Sequence, residues 1–125
     1  MRDHRKLEAF QLADSLAIAI YQATRTFPND ERFGLTSQLR RAAVSVGANI
    51  AEGCTRPSLH EYVRFLVIAF GSAREIEFEL SIAKRLSYLD PSAAKELEKQ
   101  VHRTCAALHG LINSLRRRTR STSDL

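Results

Sequence analysis

Four stretches of helical apolar periodicity, parted by three short breaks, constrain this chain more than any other feature of its sequence. The first covers residues 7–26, with Phe10, Ala13, Leu16, Ala17, Ile20 and Tyr21 on one stripe. It stops at Phe27-Pro28-Asn29-Asp30, because proline pushes the residue before it out of helical geometry. The second covers residues 35–52, where Leu35, Leu39, Ala42, Ala43, Val46 and Ile50 share a face and Gly53 is placed to cap the end. Ser58-Leu59-His60-Glu61 is a capping box that opens a third helix over residues 59–87. Its core stripe is Tyr62, Phe65, Leu66, Ala69, Ala73, Ile76, Leu80 and Ala83. Asp90-Pro91 gives an N-cap followed by proline at the first helical position. The fourth helix, residues 91–118, follows on Leu97, Val101, Cys105, Leu108, Ile112 and Leu115. No strand pattern competes with these, and the chain has no internal repeat. Short loops between long helices make successive helices antiparallel neighbours. The predicted fold is therefore all-α: an up-down antiparallel four-helix bundle over residues 1–118, with 119–125 as a flexible basic tail end.

A chain of 125 residues can bury a core of its own without metal or disulfide staples. Two cysteines, Cys54 and Cys105, are too few for a disulfide framework, and no secretory leader pattern opens the sequence, so a cytoplasmic protein is expected. The longest apolar run, residues 65–73, is less than half of the ~20 residues that span a bilayer, so no membrane partner is expected. Charge is unevenly placed. The net charge is +5, yet without residues 116–125 fifteen cations stand against thirteen anions. The cluster Arg116-Arg117-Arg118-Thr119-Arg120 thus concentrates the basic character near the C-terminus, where it is either solvated or set to meet a polyanion.

The inner stripes suffice for a bundle, but two helices carry more. Opposite its core stripe, the second helix holds Val44, Ala48 and Ala51; the third holds Val67, Ile68, Gly71, Phe78 and Ile82. A monomer's outward faces should be mostly polar. Scattered surface hydrophobes are ordinary, but these cluster on two consecutive helices, which points to self-association through them. Subunit number does not follow from this pattern.

The segment Phe33-Gly34-Leu35-Thr36-Ser37-Gln38-Leu39-Arg40-Arg41-Ala42-Ala43-Val44-Ser45-Val46-Gly47-Ala48-Asn49-Ile50-Ala51-Glu52-Gly53 is followed by Arg56, Ser58, Glu61, Tyr62, Arg64 and Phe65. Together these closely resemble the bacterial 23S rRNA intervening-sequence protein family, also known as the four-helix-bundle protein family. The resemblance extends over about residues 7–115, with one departure: the family often has proline in the middle of the second helix, where this chain has Gly47. It implies a homopentameric barrel of bundles and a link to RNA, since relatives are encoded within inserted segments of large-subunit rRNA genes. A related bundle is the accessory protein of diversity-generating retroelements, which contacts a reverse transcriptase and nucleic acid.

Arg40, Arg41, Arg56 and Arg64 lie off the core stripes and are the expected phosphate contacts, with Arg116, Arg117 and Arg118 adding non-specific attraction. The competing expectation is that the first four pair with Glu52, Glu61, Glu75 or Glu79 within or between subunits. No aromatic RNA-binding pair, zinc knuckle or glycine-rich RNA clamp supports sequence-specific reading. His102, Cys105 and His109 share one edge of the fourth helix. The two histidines are seven residues apart, about 10.5 Å along the axis, which is too far for one ion, so no metal or other cofactor is expected. Phosphate-loop, dinucleotide, zinc-protease and nucleophile-elbow motifs are all missing. Glu75, Glu77 and Glu79 alternate around their helix rather than converge, and Glu52 with His60 makes an acid–base pair only if the fold brings them together. The expected function is a non-enzymatic homo-oligomeric scaffold that associates with RNA or DNA through phosphate contacts. The alternative is a protein-interaction adaptor, for example an accessory subunit of a reverse transcriptase, or a purely structural oligomer.

Overall fold

The computed structural model describes the backbone of residues 2–123 and the side chains of residues 2–120. Four helices carry the fold: α1 (Glu8–Thr24), α2 (Leu35–Cys54), α3 (Leu59–Arg85) and α4 (Pro91–Ser123), with single 3₁₀ turns at His4–Lys6 and Asn29–Glu31. Each helix packs on two neighbours, α1 on α2 and α4, and α3 on α2 and α4, so the four form a closed square. Cross-bundle contacts fix the antiparallel sense. The Arg40 Nε donates to Thr24 Oγ1 at 2.9 Å, the Ser45 and Ser72 hydroxyls meet at 2.9 Å, and Lys84 pairs with Glu98 at 3.3 Å. The chain is an up-down four-helix bundle.

The bundle buries most of the predicted stripes, with Phe10, Ala17 and Phe65 half-buried at their edges. Leu16, Ile20, Leu39, Val46, Ile50, Leu66, Ile76, Val101 and Leu108 are fully enclosed. Each such side chain contributes ~1.5–3 kcal/mol by leaving water. Tyr21 departs from its stripe: it is exposed, with the Arg40 guanidinium lying 4.8 Å from its ring centre. Val63 and Leu89 join the core although no predicted stripe includes them.

The helix ends show local chemistry at work. The Ser58 side chain accepts from the Glu61 N–H at 3.1 Å, so Ser58 caps α3, and its hydroxyl donates to the Glu61 carboxylate at 3.2 Å in place of the reciprocal backbone bond of a full capping box. Asp90 Oδ1 accepts from the Ala93 N–H at 2.8 Å and caps α4. At the end of α3 the Tyr88 N–H returns to the Ala83 carbonyl and the Ser87 N–H to that of Lys84, a Schellman closure. It places Ser87 at φ 62°, in the left-handed region.

Two expected helix ends differ. Gly53 does not cap α2, which continues through Cys54. A Cβ at Gly53 would lie 2.9 Å from the Cβ of Phe65 and 3.2 Å from Cδ1 of Tyr62, so its missing side chain is what lets α2 approach α3. The fourth helix does not end at 118 but runs to Ser123. Arginine is a good helix former, and cations in a last turn complement the negative end of the helix dipole. Residues 119–123 of the expected tail are therefore helical, and the rest of it lies outside the described residues.

Candidate nucleic-acid interface and assembly face

The antiparallel packing gathers residues 2–8, 52–64 and 116–120 at one end of the bundle. His60 and Arg64 of α3 line a shallow groove of about 470 Å³ together with Arg116 and Thr119 of α4. Leu7 and Glu8 lie against residues 106–111 of α4. The N-terminal Arg2 donates to the Arg56 carbonyl at 2.7 Å and stacks 4.2 Å from the Tyr62 ring centre. This end holds nine cations, Arg2, Arg5, Lys6, Arg56, Arg64, Arg116, Arg117, Arg118 and Arg120, against four anions, Asp3, Glu8, Glu52 and Glu61. The described residues as a whole hold nineteen cations and thirteen anions, so five of their six excess positive charges lie at this end. Two of those anions are already engaged: Asp3 with Arg5 at 3.0 Å, which holds its carboxyl below the usual range, and Glu52 with Arg56 at 2.6 Å.

Five of the seven expected phosphate-contacting arginines, Arg56, Arg64, Arg116, Arg117 and Arg118, fall at this end; Arg40 and Arg41 do not. From position 40 to the end of α2 at Cys54 the helix rises about 20 Å. Arg40 straps α2 to α1 through Thr24 and the Tyr21 carbonyl, so its guanidinium is engaged by hydroxyl, carbonyl and ring instead of by any of the glutamates proposed for it. Arg56 does take one of those glutamates, Glu52, and lies 4.8 Å from the Phe65 ring centre. Arg64, Arg116 and Arg117 are exposed. Arg2 had no pattern to mark it in the sequence; only the fold carries it to the α2–α3 turn.

The outward apolar residues are largely where the helical wheel puts them. Val44, Ala48, Val67, Ile68, Gly71 and Phe78 are exposed, Phe78 to 64%. Ala51 is half-buried, and Ile82 packs partly against the bundle's own core. Beside this strip lies a residue whose burial the sequence did not reveal. Glu79 is 7% exposed, and among the described residues it is the one buried charged side chain. Its Oε1 has no hydrogen-bond partner, and burial together with the nearby Glu75 carboxylate pushes its pKa up to about 7.

Other chemistry does not converge. His102 pairs with Glu77 at 3.2 Å, His109 with the Asn113 amide at 3.0 Å, and Cys105 is buried, so the three do not face a common point. Among the described residues no three His, Cys, Asp or Glu side chains gather as metal ligands, and no helix is long and apolar enough to cross a membrane. Cys54 is buried with its thiol 3.9 Å from the Tyr62 hydroxyl, and burial raises the pKa of both groups, that of Tyr62 to about 12.

A family model described as 23S rRNA-intervening sequence protein matches residues 5–110. The chain belongs to that family. The match spans α1, α2, α3 and most of α4, and ends before Arg116. A crystal structure of a protein of unknown function from the S23 ribosomal protein family of Bacteroides thetaiotaomicron superposes with a TM-score of 0.75 at 22% identity, over 83% of this chain and 97% of that one. At that identity the likeness speaks for the fold. No curated protein matches this family member.

Proposed function

We propose that this protein is a self-associating helical scaffold that binds RNA or DNA through phosphate contacts at its basic end. The observation that carries the reading is the charge distribution: five of the six excess positive charges on the described residues lie at one end of the bundle. Arg64, Arg116 and Arg117 present guanidinium groups to solvent there, and Arg2 and Arg56 stiffen the turn beside them. Arginine suits phosphate because its planar fork donates two parallel hydrogen bonds. The family's association with an rRNA-gene insertion supports the same direction. Self-association rests on Val44, Val67, Ile68 and Phe78, which an isolated bundle leaves in water. The contacts proposed are to phosphate, which carries no sequence information, so binding is expected to be largely indifferent to sequence.

The test is fluorescence anisotropy with a generic single-stranded RNA and a DNA of the same length over a salt series. Affinity is expected to fall steeply with salt, log K decreasing by ~0.7 per phosphate contact on a single strand. Absence of binding at low salt removes the nucleic-acid reading. Preparations that carry a stoichiometric second protein and no nucleic acid point to an adaptor.

A further inference from the structure

At the turn between α2 and α3 a hollow of about 600 Å³ is walled by Arg2, Cys54, Thr55, Arg56 and Pro57. Its two arginines are held in place by their own neighbours. The Arg2 guanidinium lies 4.2 Å from the Tyr62 ring centre and uses Nη1 on the Arg56 carbonyl. That of Arg56 lies 4.8 Å from the Phe65 ring centre and uses Nη2 on Glu52. Both side chains are half-exposed. Each keeps a terminal nitrogen, Nη2 of Arg2 and Nη1 of Arg56, that has no partner among the described residues. The nearby anions are already engaged, Glu52 with Arg56 at 2.6 Å and Asp3 with Arg5 at 3.0 Å. The last carbonyls of α2 face the chain's own donors: Glu52 takes the Thr55 N–H and hydroxyl, and Gly53 takes the Arg56 N–H. The Tyr62 hydroxyl, whose pKa burial raises, also feels the positive charge of Arg118, so a third cation stands near the same corner.

We propose that this hollow takes a phosphate monoester, the terminal phosphate of a nucleic-acid strand, between the guanidinium groups of Arg2 and Arg56. The proposal rests on the nucleic-acid reading above and names the phosphate that this corner selects. A phosphate inside a strand carries one charge and two free oxygens, which a single planar fork satisfies. A terminal phosphate has three free oxygens and a charge of about −1.5 to −2, so two forks can share it. A carboxylate, with one charge and two oxygens, leaves one of the forks unused. Because the rings already fix both guanidinium groups, little side-chain freedom is lost when the phosphate arrives. The exposed Arg64, Arg116 and Arg117 at the same end are placed to meet the internal phosphates that follow.

The experiment is fluorescence anisotropy at low salt on the full chain, with one RNA sequence, labelled at an internal position, in three forms. One form carries a 5′-phosphate, one a 3′-phosphate and one neither. A phosphorylated form is expected to bind ~10-fold tighter than the unphosphorylated strand. Inorganic phosphate, added at constant ionic strength, should bring it down to the unphosphorylated level. Arg2→Ala and Arg56→Ala, each checked for folding by circular dichroism, should lose most of that preference, and either one suffices if the other does not fold. Arg2→Lys, which keeps the charge without the fork, should fall between. Arg64→Ala should weaken all three forms by the same factor and keep the preference. Equal affinity for the three forms overturns the proposal and leaves the nucleic-acid reading standing. Binding of none of them overturns both. A preference that a folded Arg2→Ala or Arg56→Ala variant keeps in full places the terminal phosphate elsewhere and overturns this site.

Discussion

Arg2 and Arg56 lie 54 residues apart, yet the Arg2 Nη1 donates to the Arg56 carbonyl at 2.7 Å. The same guanidinium covers Tyr62, 4.2 Å from the ring centre, so one side chain ties the N-terminus to the turn between α2 and α3. Arg2→Ala removes a charge-assisted hydrogen bond and a cation–π contact. It should lower stability by ~1–2 kcal/mol, a fall of roughly 4–8 °C in a thermal melt of a domain this size. Arg2→Lys should recover only part, because an ammonium has no planar face to lay on the ring. An unchanged melt for Arg2→Ala would mean that the strap does not hold in solution.

Two glycines make a matched pair of opposite sign. At Gly53 an added Cβ meets Phe65 Cβ at 2.9 Å and the Tyr62 carbonyl at 3.4 Å, while at Gly110 it meets nothing within 4 Å. Gly53→Ala should destabilise by ~1–2 kcal/mol, the overpacking outweighing a helix-propensity gain of up to ~1 kcal/mol. Gly110→Ala keeps the propensity gain alone and should stabilise by ~0.5–1 kcal/mol. Chemical denaturation of both variants decides it, and a stabilised Gly53→Ala would show that α2 and α3 are free to move apart.

The core was legible in the sequence because its signal is periodic. Leu39, Val46 and Ile50, or Val101, Leu108 and Ile112, repeat at the spacing that a helix turns into one face, and burial followed that face. Gly53 was misread because a glycine after an apolar stripe has two uses, a left-handed cap or a close approach, and only the position of α3 separates them. Glu79 was illegible for a similar reason. Its neighbours Glu75 and Glu77 remain on the surface or its edge, and a helical wheel does not show how far the packing of neighbouring helices reaches around the flank of α3. The arginines were visible as residues but not as a group. Arg64 and Arg116 are 52 positions apart and share a groove only because α3 and α4 run in opposite directions.

Ser87 occupies the left-handed position of the α3 closure at φ 62°, where a side chain is unfavourable and glycine is not. Ser87→Gly should therefore stabilise the fold by ~1 kcal/mol, raising the melting temperature by about 3–4 °C. Ser87→Val, whose branched Cβ is worse suited to that backbone, should move it the other way. A Ser87→Gly variant less stable than its parent would show that the closure is not kept in solution.

The basic end and the α2 strap separate binding from stability. Arg116→Ala with Arg117→Ala removes two exposed cations from the end of α4 and should leave the melt nearly unchanged. If both meet phosphate, the slope of log K against log salt on single-stranded RNA should fall by ~1.4. Arg40→Ala should do the reverse, losing ~1 kcal/mol through its bond to Thr24 while the salt slope stays the same. A double variant with the parent's slope would move the phosphate contacts away from α4.

Glu79 gives the fold a pH dependence of definite sign. Its folded pKa is about 7 against 4.5 for an ordinary glutamate, because burial and the Glu75 charge disfavour the ionised form. Between these values the folded chain keeps a proton that the unfolded chain has released. Stability is therefore greatest at the acid edge of that window, falls as pH rises from 4.5 to about 7, and levels off above it. The full swing is about 3 kcal/mol. Glu79→Gln, which keeps the shape without the charge, should match the parent near pH 4.5 and exceed it at pH 8 by an amount of that order. Other acids titrate in both proteins, so the difference between the two denaturation profiles isolates this carboxylate. Parallel profiles, or a Gln variant weaker at pH 8, would mean that Glu79 is reached by water or a cation and is not held in a dry flank of α3.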